Sequence, residues 1–399
     1  MMLDVYLVAL VGISAFFLVQ VLLNVVYFRR ATAAPRIESG PFVSVIVPAR
    51  NEERSIARCV ESLLAQNYAD YEVVVVDDQS SDATPAIVAA LAADNPRLRL
   101  VSGTPPPSGW LGKPHALSEG AAAARGEIFL LTDADTVHTR TSISWTVTNL
   151  HDHRADMLSG YLEQEYGSLG ETMIVPTMYA AMLLVPFYLL SRWKSPRLAF
   201  AIGQYVAYRR EALDGIGGFE AIKDAIVDDM AMATRMKAFG YRGVFLDAKA
   251  AASCRLYHGF RDAFMGIRRS TYSALGGNPI TALLISALAL GVIVLPPFAA
   301  LLAGVRMQMP APLVAVSVAL FAAQWALVTW DRDVPFAAFV LYPLVFLNLV
   351  VILNASMLGT GFGAGVDWKG RLVRIPDKSG ADVEPHTADL APGPGKGRP

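Results

Sequence analysis

The segment Glu127-Ile-Phe-Leu-Leu-Thr-Asp-Ala-Asp135 constrains the fold of this chain more than any other. Its apolar run predicts a short buried strand, and two carboxylates follow with one residue between them. Side chains two residues apart on an extended segment point the same way, so Asp133 and Asp135 are expected to project together from the carboxyl end of the strand. In α/β sheets, that end is where ligands bind.

Two carboxylates this close repel each other unless a cation or ligand hydroxyls compensate their charge. One or two oxygen ligands suit Mg²⁺ or Mn²⁺ that carries a phosphorylated substrate. An isolated Asp-x-Asp is more often a solvated turn, so the neighbouring segments must decide between the two interpretations.

Strands and helices alternate from residue 42 onward. Apolar runs predict strands over residues 42–48, 71–76, 98–101, the segment before Asp133, and near 157–163. Helical periodicity and capping signals predict helices over residues 53–66, 82–93, 113–124 and near 140–151. The alternation predicts an α/β fold with a mostly parallel, doubly wound sheet, and residues 42–277 are ample for its core.

An N-terminal transmembrane helix is predicted within residues 1–30, because residues 5–28 carry no charge and are long enough to cross a bilayer. A cleaved signal peptide is the alternative, but the apolar run is too long and no basic segment precedes it. Arg29 and Arg30 follow at once, which places the next domain in the cytoplasm. Residues 31–41 are predicted to be a linker.

Three apolar stretches form a predicted C-terminal transmembrane region over residues 278–360; they are residues 280–305, 311–330 and 334–358. Three crossings from the cytoplasm would leave the C-terminus outside, whereas basic residues at 369, 371 and 374 indicate the inside. Pro296 and Pro297 leave open that the first stretch is a re-entrant or interfacial hairpin. Residues 361–399 are predicted to be a basic and then disordered tail.

Residues 172–190 are almost wholly apolar and long enough to span a bilayer. Spanning would separate Asp135 from Asp228 by the membrane, so a helix lying at the interface is the preferred interpretation. Trp193, Lys194 and Arg197 would then lie at the lipid headgroups.

Polar loops follow the first two predicted strands, Pro48-Ala-Arg50-Asn51-Glu52 and Asp77-Asp78-Gln-Ser80. Both should open on the crevice that holds Asp133, where they would suit the base and ribose of a nucleotide. The alternative is that Asn51 and Ser80 cap the next helices. Lys113 precedes a predicted helix, a natural site for phosphate; a solvated loop lysine is the alternative.

Asp228 and Asp229 open a predicted helix, where they would either favour the helix macrodipole or supply a general base with a raised pKa. Arg268 and Arg269 offer positive charge for a diphosphate leaving group or, equally, for a membrane surface.

Composition limits the function classes. The chain has 399 residues, of which 54% are hydrophobic and 17% charged, which is too apolar for an ordinary soluble protein. A net charge of −1 gives no argument for nucleic acid as a partner. Cys59 and Cys254 have neither metal-site spacing nor a disulfide framework, so reduced cytoplasmic thiols are expected.

Together these segments resemble family-2 membrane glycosyltransferases of the A-type fold. The resemblance lies in VSVIVPARNEE, VVVDDQSSD, GWLGK, LLTDADT, GQYVAYRREALDGIGGF and VDDMAMATRMKAFGYR, and it covers nearly the whole chain. The order of these motifs, GWLGK, the block from Arg255-Leu-Tyr to Gly-Gly277 and the final Val366-Asp-Trp-Lys-Gly-Arg371 are most similar to carotenoid glucosyltransferases such as the hydroxychlorobactene enzyme, and to hopanoid-associated relatives.

The resemblance implies roles for individual residues. Asp78 would hold the nucleotide base, Asp133 the ribose and Asp135 a divalent metal, Mg²⁺ or Mn²⁺. Asp229 would be the catalytic base, beside Asp228. The remaining predicted donor contacts are Pro48, Arg50, Asn51, Glu52, Lys113 and Arg268. The Gln-x-x-Arg-Trp motif of processive synthases falls on residues 265–269, where Arg268 alone matches, which argues against a processive polymerase.

The expected function is therefore inverting transfer of a hexose such as glucose from a nucleotide sugar to a lipid hydroxyl, on a carotenoid or other isoprenoid. The expected location is the inner membrane of a bacterial-type cell, as a multi-pass protein with its catalytic domain in the cytoplasm. The alternatives are a polysaccharide synthase and a non-catalytic membrane scaffold that kept the fold.

Overall fold

The computed structural model describes residues 2–193, 195–306, 311–361, 366–368 and 371–373. The predictions for Lys194, residues 369 and 374, and the tail from residue 376 lie outside the described residues, as do those for the side chains of Arg197 and Arg371.

The strands are β1 (Val43–Ala49), β2 (Tyr71–Asp77), β3 (Leu98–Ser102), β4 (Ile128–Thr132), β5 (Thr136–His138), β6 (Met157–Tyr161), β7 (Glu163–Gln164), β8 (Tyr205–Arg209), β9 (Gly243–Asp247), β10 (Ala252–Cys254), β11 (Val366–Trp368) and β12 (Arg371–Val373). The helices are α1 (Met2–Ala31), α2 (Ile56–Leu64), α3 (Thr84–Ala93), α4 (Gly112–Ala123), α5 (Ser142–Asp152), α6 (Leu169–Ile174), α7 (Ala181–Leu184), α8 (Phe187–Leu190), α9 (Arg210–Gly215), α10 (Asp228–Ala238), α11 (Phe260–Ala274), α12 (Pro279–Leu288), α13 (Leu295–Arg306), α14 (Ala311–Asp331), α15 (Phe336–Val340) and α16 (Tyr342–Gly361).

The central sheet has the strand order β3-β2-β1-β4-β8-β6-β9 among the described residues. Strands β1 to β4 pair in parallel, β8 runs antiparallel to both of its neighbours, and β6 pairs with β9 in parallel. The predicted mostly parallel α/β sheet is confirmed. Because the chain passes from β1 to β2 and β3 on one side and then places β4 on the other, the order reverses between β1 and β4, which is where such sheets open a ligand crevice.

Burial explains why these segments form strands. Strands β2 and β4 are buried at nearly every position, as expected for strands covered on both faces. Helix α2 packs on the sheet through Ile56, Cys59, Val60 and Leu63. It begins at Ile56 rather than at the predicted residue 53, and the backbone N–H groups of Glu52 and Glu53 before it donate to Thr84 and Asp82 of the neighbouring loop.

Four helical segments of the described chain are long and apolar enough to cross a membrane: Val5–Ala31, Pro279–Ala300, Pro312–Asp331 and Tyr342–Gly359. The second runs through Pro296 and Pro297 without a break, so the hairpin considered for this stretch is wrong. A π-helical turn over Ala289–Val294 precedes the two prolines. Proline has no backbone N–H group to donate within the helix, and the altered hydrogen-bond pattern of the π-helical turn lets the helix continue through this position.

Helix α16 runs from the middle of α14 back to α11. Near its start the rings of Phe346 and Trp325 lie 4.9 Å apart, and near its end Ser356 Oγ accepts a hydrogen bond from Tyr272 N at 3.1 Å. Helix α14 itself ends at Asp331, beside the sheet domain. The segment after α14 therefore leaves the sheet domain and returns to it.

The apolar stretch 172–190 is not the single helix that its composition predicted. Its described residues form the end of α6, a 3₁₀ turn over Val175–Ala180, α7 and α8. Pro176 lies in the 3₁₀ turn and Pro186 between α7 and α8, where each removes a helical hydrogen bond. The segment packs against α1, where Asn24 Nδ2 donates to the carbonyls of Met182 and Val185 at 2.8 and 2.9 Å.

A buried arginine joins the sheet domain to the membrane helices. Arg332 Nη2 lies 2.7 Å from Asp247 Oδ2, at the end of β9, and 2.6 Å from Asp331 Oδ2, at the end of α14. Arg29 of α1 approaches Asp331 at 3.2 Å. Removing one partner from a buried ion pair is strongly destabilising, so this network fixes how the sheet domain sits on the helices.

Candidate active site

The crevice at the β1–β4 reversal is a cleft of about 960 Å³. Its lining includes every residue predicted for the donor, metal and base except Arg268: Pro48, Arg50, Asn51, Glu52, Asp78, Lys113, Asp133, Asp135, Asp228 and Asp229. Pro48, Asp78 and Asp133 share one site because the carboxyl ends of parallel strands meet at one edge of the sheet, and the start of α10 brings Asp228 and Asp229 to the same cleft.

The loops after β1 and β2 hold each other. Asn51 N donates to Ser80 Oγ at 3.0 Å, Ser81 N donates to Asn51 Oδ1 at 2.8 Å, and Arg50 Nη1 donates to the Asp78 carbonyl at 2.5 Å. Asn51 has a φ of 53°, the left-handed conformation that asparagine tolerates better than most residues. Asn51 and Ser80 therefore join the two loops, instead of capping α2 and α3 as the alternative interpretation required.

Lys113 lies between the two acidic pairs. Its Nζ is 2.8 Å from Asp133 Oδ1, and its side chain is 24% exposed. Burial alone would lower the pKa of Lys113, but the charges of Asp133, Asp228 and Asp229 outweigh burial and raise it. This lysine remains a cation inside the cleft and is not a solvated loop residue.

The turn that carries Asp133 and Asp135 rests on a buried polar network. Thr132 Oγ1 and Thr136 Oγ1 lie 2.7 Å apart, and each lies 3.1 Å from His138 Nε2. Burial lowers the pKa of His138 to about 3, so the ring stays neutral at physiological pH. A satisfied network of this kind keeps a turn rigid.

The surroundings of Asp229, the second residue of α10, differ from those of Asp133. Gly203 N donates to its Oδ2 at 2.5 Å and Met230 N to its Oδ1 at 2.7 Å. Burial first, and then the charge of Asp228, raise the pKa of Asp229 to about 7. A Cβ on Gly203 would lie 3.2 Å from Asp229 Oδ2 and 3.3 Å from Lys113 Nζ, so glycine lets this backbone approach the carboxylate.

Helix α11 presents Arg269 to the cleft, together with Asp262, Gly266 and Ser270. Arg268 points elsewhere, with its Nη2 3.5 Å from the position that a Cβ on Gly359 of α16 would take. Among these two neighbouring arginines, the cleft lining therefore includes Arg269 and not Arg268. The structure brings Arg269, and not the predicted Arg268, together with the other site residues.

The loop from Arg255 to Gly259 closes one side of the cleft, and motif comparison assigns it no role. Arg255, Leu256, Tyr257 and His258 line the site. The loop is held by Glu171 of α6, which accepts from Arg255 Nη2 at 3.1 Å and from Gly259 N at 2.8 Å. Burial raises the pKa of Glu171, but these hydrogen bonds outweigh it and lower the pKa to about 2. In the sequence, the signal of this wall is a Tyr-His pair that follows two residues after β10.

Apolar side chains also line the cleft, among them Met178, Ile202, Ile226 and Leu256. Met178 packs in the same cluster as Ile352 of α16. The cleft therefore combines charged side chains with apolar ones, and one of the apolar residues contacts the apolar helices.

Comparison with known proteins identifies the domain that carries this cleft. Residues 44–217 match the family described as Glycosyl transferase family 2. This region of the chain is a family-2 glycosyltransferase domain. The chain is 28% identical over 214 residues to a probable glycosyltransferase of Bacillus subtilis, in an alignment that covers 52% of this chain and 49% of the relative. It is 29% identical over 198 residues to a beta-monoglucosyldiacylglycerol synthase of Trichormus variabilis, which covers 49% of this chain and 41% of the relative.

The chain thus spans about half or less of the length of these relatives. A mannosyltransferase from Pyrobaculum calidifontis, solved with GDP-Man and Mn²⁺, superimposes with a TM-score of 0.54 at 23% identity and covers 89% of this chain and 98% of that structure. This similarity confirms the A-type glycosyltransferase fold of the family-2 domain.

The family-2 domain offers few protein ligands for a metal. No group of three or more His, Cys, Asp or Glu side chains is arranged for one within the described ranges. Mg²⁺ and Mn²⁺ commonly bind through one or two carboxylates together with substrate phosphates, and Asp133 and Asp135 both line the cleft beside Lys113. The donor set therefore fits a cation that arrives with a diphosphate.

Proposed function

We propose that this protein transfers a hexose such as glucose, with inversion, from a nucleotide sugar to the hydroxyl of a lipid. One observation carries the proposal. A carboxylate with a pKa of about 7, Asp229, lies in the same cleft as Lys113, the Asp133 and Asp135 pair, and apolar side chains such as Met178.

The donor binds among the charged side chains of the cleft in this proposal. Asp78 contacts the base and Asp133 the ribose, and Pro48, Arg50, Asn51 and Glu52 form the surrounding wall. The hydrogen bonds that join the loops after β1 and β2 make this part of the cleft rigid before the donor arrives, which reduces the conformational entropy lost on binding.

Asp135, with Asp133 beside it, would hold Mg²⁺ or Mn²⁺. When bound, the cation shields the negative charge of the diphosphate. Lys113 supplies a second positive charge from the other side of Asp133. Arg269 takes the role expected for Arg268, because it is the arginine of α11 that faces the cleft.

Asp229 acts on the acceptor. Its carboxylate accepts the proton of the acceptor hydroxyl while the acceptor oxygen bonds to the anomeric carbon. The bond from that carbon to the diphosphate oxygen breaks, and its electron pair leaves with the diphosphate. One direct displacement inverts the anomeric centre, and a base with a pKa near the working pH is well matched to the proton transfer.

The acceptor enters from the membrane. The apolar side chains Met178 and Ile202 of the cleft suit an aliphatic chain with the hydroxyl directed toward Asp229. The relative named as a beta-monoglucosyldiacylglycerol synthase supports a lipid acceptor in general. The motif order described above supports a carotenoid or another isoprenoid alcohol.

We further propose a cytoplasmic catalytic domain in a bacterial inner membrane, with crossings by α1, by α12–α13 and by α14. Helices α15 and α16 return to the side they leave, which supports a cytoplasmic C-terminus, as do the basic residues after α16. A cysteine introduced in the linker at residues 39–41 should be shielded from an impermeant thiol reagent in intact cells. Ready labelling there would overturn this orientation.

The activity test uses the purified protein in nanodiscs with an isoprenoid alcohol and a panel of radiolabelled nucleotide sugars. The expected product is a labelled, solvent-extractable lipid, absent from Asp229→Asn. An insoluble labelled polymer would indicate a polysaccharide synthase instead. No transfer with any donor would favour the non-catalytic scaffold.

A further inference from the structure

A small sheet places Cys254 directly behind the Asp-Ala-Asp turn. In the order β5-β10-β7, Cys254 of β10 pairs with Thr136 on one side and with Gln164 on the other. Thr136 is the residue after Asp135. The register of this sheet therefore brings the thiol next to a carboxylate that lies far from it in sequence.

Three hydrogen bonds in series end on that carboxylate. Gln164 Nε2 donates to Gln204 Oε1 at 3.2 Å, and Gln204 Nε2 donates to Cys254 Sγ at 3.4 Å. Cys254 Sγ then donates to Asp135 Oδ1 at 3.5 Å. The sulfur already accepts from an amide N–H, so its own hydrogen is directed at Asp135. All three side chains of the series are buried.

We propose that Cys254 is a positioning residue for Asp135: its thiol fixes the rotation of the carboxylate that receives the divalent cation. The inference rests on the proposed function, which assigns the cation to Asp135. A donor on one carboxylate oxygen sets the plane of the group, and hydrogen bonds behind a metal ligand commonly determine its affinity. A thiol is a weak donor, so it orients the carboxylate without withdrawing much of its charge.

The chain contains a matched control in its other cysteine. Cys59 of α2 is as buried as Cys254 and lies beside the same turn. Its Sγ lies 3.8 Å from the backbone carbonyl of Asp133 and 4.0 Å from Thr136 Oγ1. Cys59 thus packs beside the acidic turn with backbone and hydroxyl partners, whereas Cys254 donates to a carboxylate.

The test measures Mn²⁺ binding to the full-length protein in nanodiscs by electron paramagnetic resonance, with UDP and GDP as probes. Cys254→Ala should weaken Mn²⁺ binding about 10- to 100-fold, the range found for residues behind metal ligands. Cys59→Ala should leave it unchanged, and Cys254→Ser, which keeps a donor, should recover part of the loss. Affinity for the nucleotide without metal should be equal in all variants.

Two results would overturn the proposal, and they are distinguishable. The first result is that Cys254→Ala and Cys254→Ser bind Mn²⁺ as tightly as the wild type and unfold at the same temperature. Cys254 would then not position the Asp135 carboxylate. If the wild type with UDP or GDP binds no Mn²⁺, the assignment of the cation to Asp135 fails as well. Gln204→Met, which removes the donor to the sulfur, should weaken Mn²⁺ binding less than Cys254→Ala does.

Discussion

The cleft holds two acidic pairs close to Lys113, named here after their proposed roles as the donor end (Asp133 and Asp135) and the acceptor end (Asp228 and Asp229), and the surroundings of the two pairs differ. At the donor end Asp133 is ion-paired with Lys113 at 2.8 Å, and the turn that carries it rests on hydroxyl groups. At the acceptor end Asp229 is buried beside Asp228, and its pKa rises to about 7. The same side chain therefore suits charge binding at one end and proton transfer at the other, because only the surroundings differ.

Lys113 couples the two ends. It pairs with Asp133, and its positive charge also opposes the rise in the pKa of Asp229. The position of this lysine therefore affects the electrostatic environment of both Asp133 and Asp229.

The largest expected effect comes from the donor end. Asp135→Asn keeps the shape of the side chain but removes the charge that holds the cation, so it should abolish transfer. Chelation should do the same to the wild type, and added Mn²⁺ should restore the wild type but not the variant. A chelated wild type that stays fully active would contradict the metal assignment.

At the acceptor end, Asp229→Asn should lower turnover on the order of 10²- to 10⁴-fold, the usual contribution of a general base. Donor affinity, measured by calorimetry with the nucleotide diphosphate, should stay close to that of the wild type. Donor binding lost together with turnover would mean that the two ends are not separate in function.

Lys113→Met should affect both ends, with a smaller loss. Hydrogen bonds to charged groups contribute about 1.5–3 kcal/mol, so affinity for the nucleotide diphosphate should fall on the order of 10- to 100-fold. Removal of the positive charge should also raise the pKa of Asp229 and move the acidic limb of the rate profile to higher pH. Lys113→Arg, which keeps the charge, is the control and should retain the wild-type limb.

Local sequence patterns predicted which segments come together at the donor end. Strands β1, β2 and β4 are continuous apolar runs that end in polar motifs, and parallel pairing then brings those motifs to one edge. The pairing of loops by Asn51 and Ser80 was less predictable, because the same residues are good helix caps in isolation.

The acceptor end depends on packing that no local pattern contains. Which arginine of α11 faces the cleft follows from how that helix docks on α16. The return of α16 to the sheet domain and the Glu171 contact with the 255–259 loop join residues far apart in sequence. Pro176 and Pro186 signalled the breaks in the 172–190 segment, but apolar composition dominated that prediction.

The pH dependence of kcat/KM, compared between the wild type and Asp228→Asn, tests most directly whether surroundings set the role of Asp229. Asp229 must be unprotonated to accept a proton, so wild-type activity should fall as the pH drops through about 7. Asp228→Asn removes a charge that raises the pKa of Asp229, so its acidic limb should lie at lower pH with only a modest loss of maximal rate. A wild-type profile flat down to pH of about 5, or a limb that does not move in Asp228→Asn, would contradict the account.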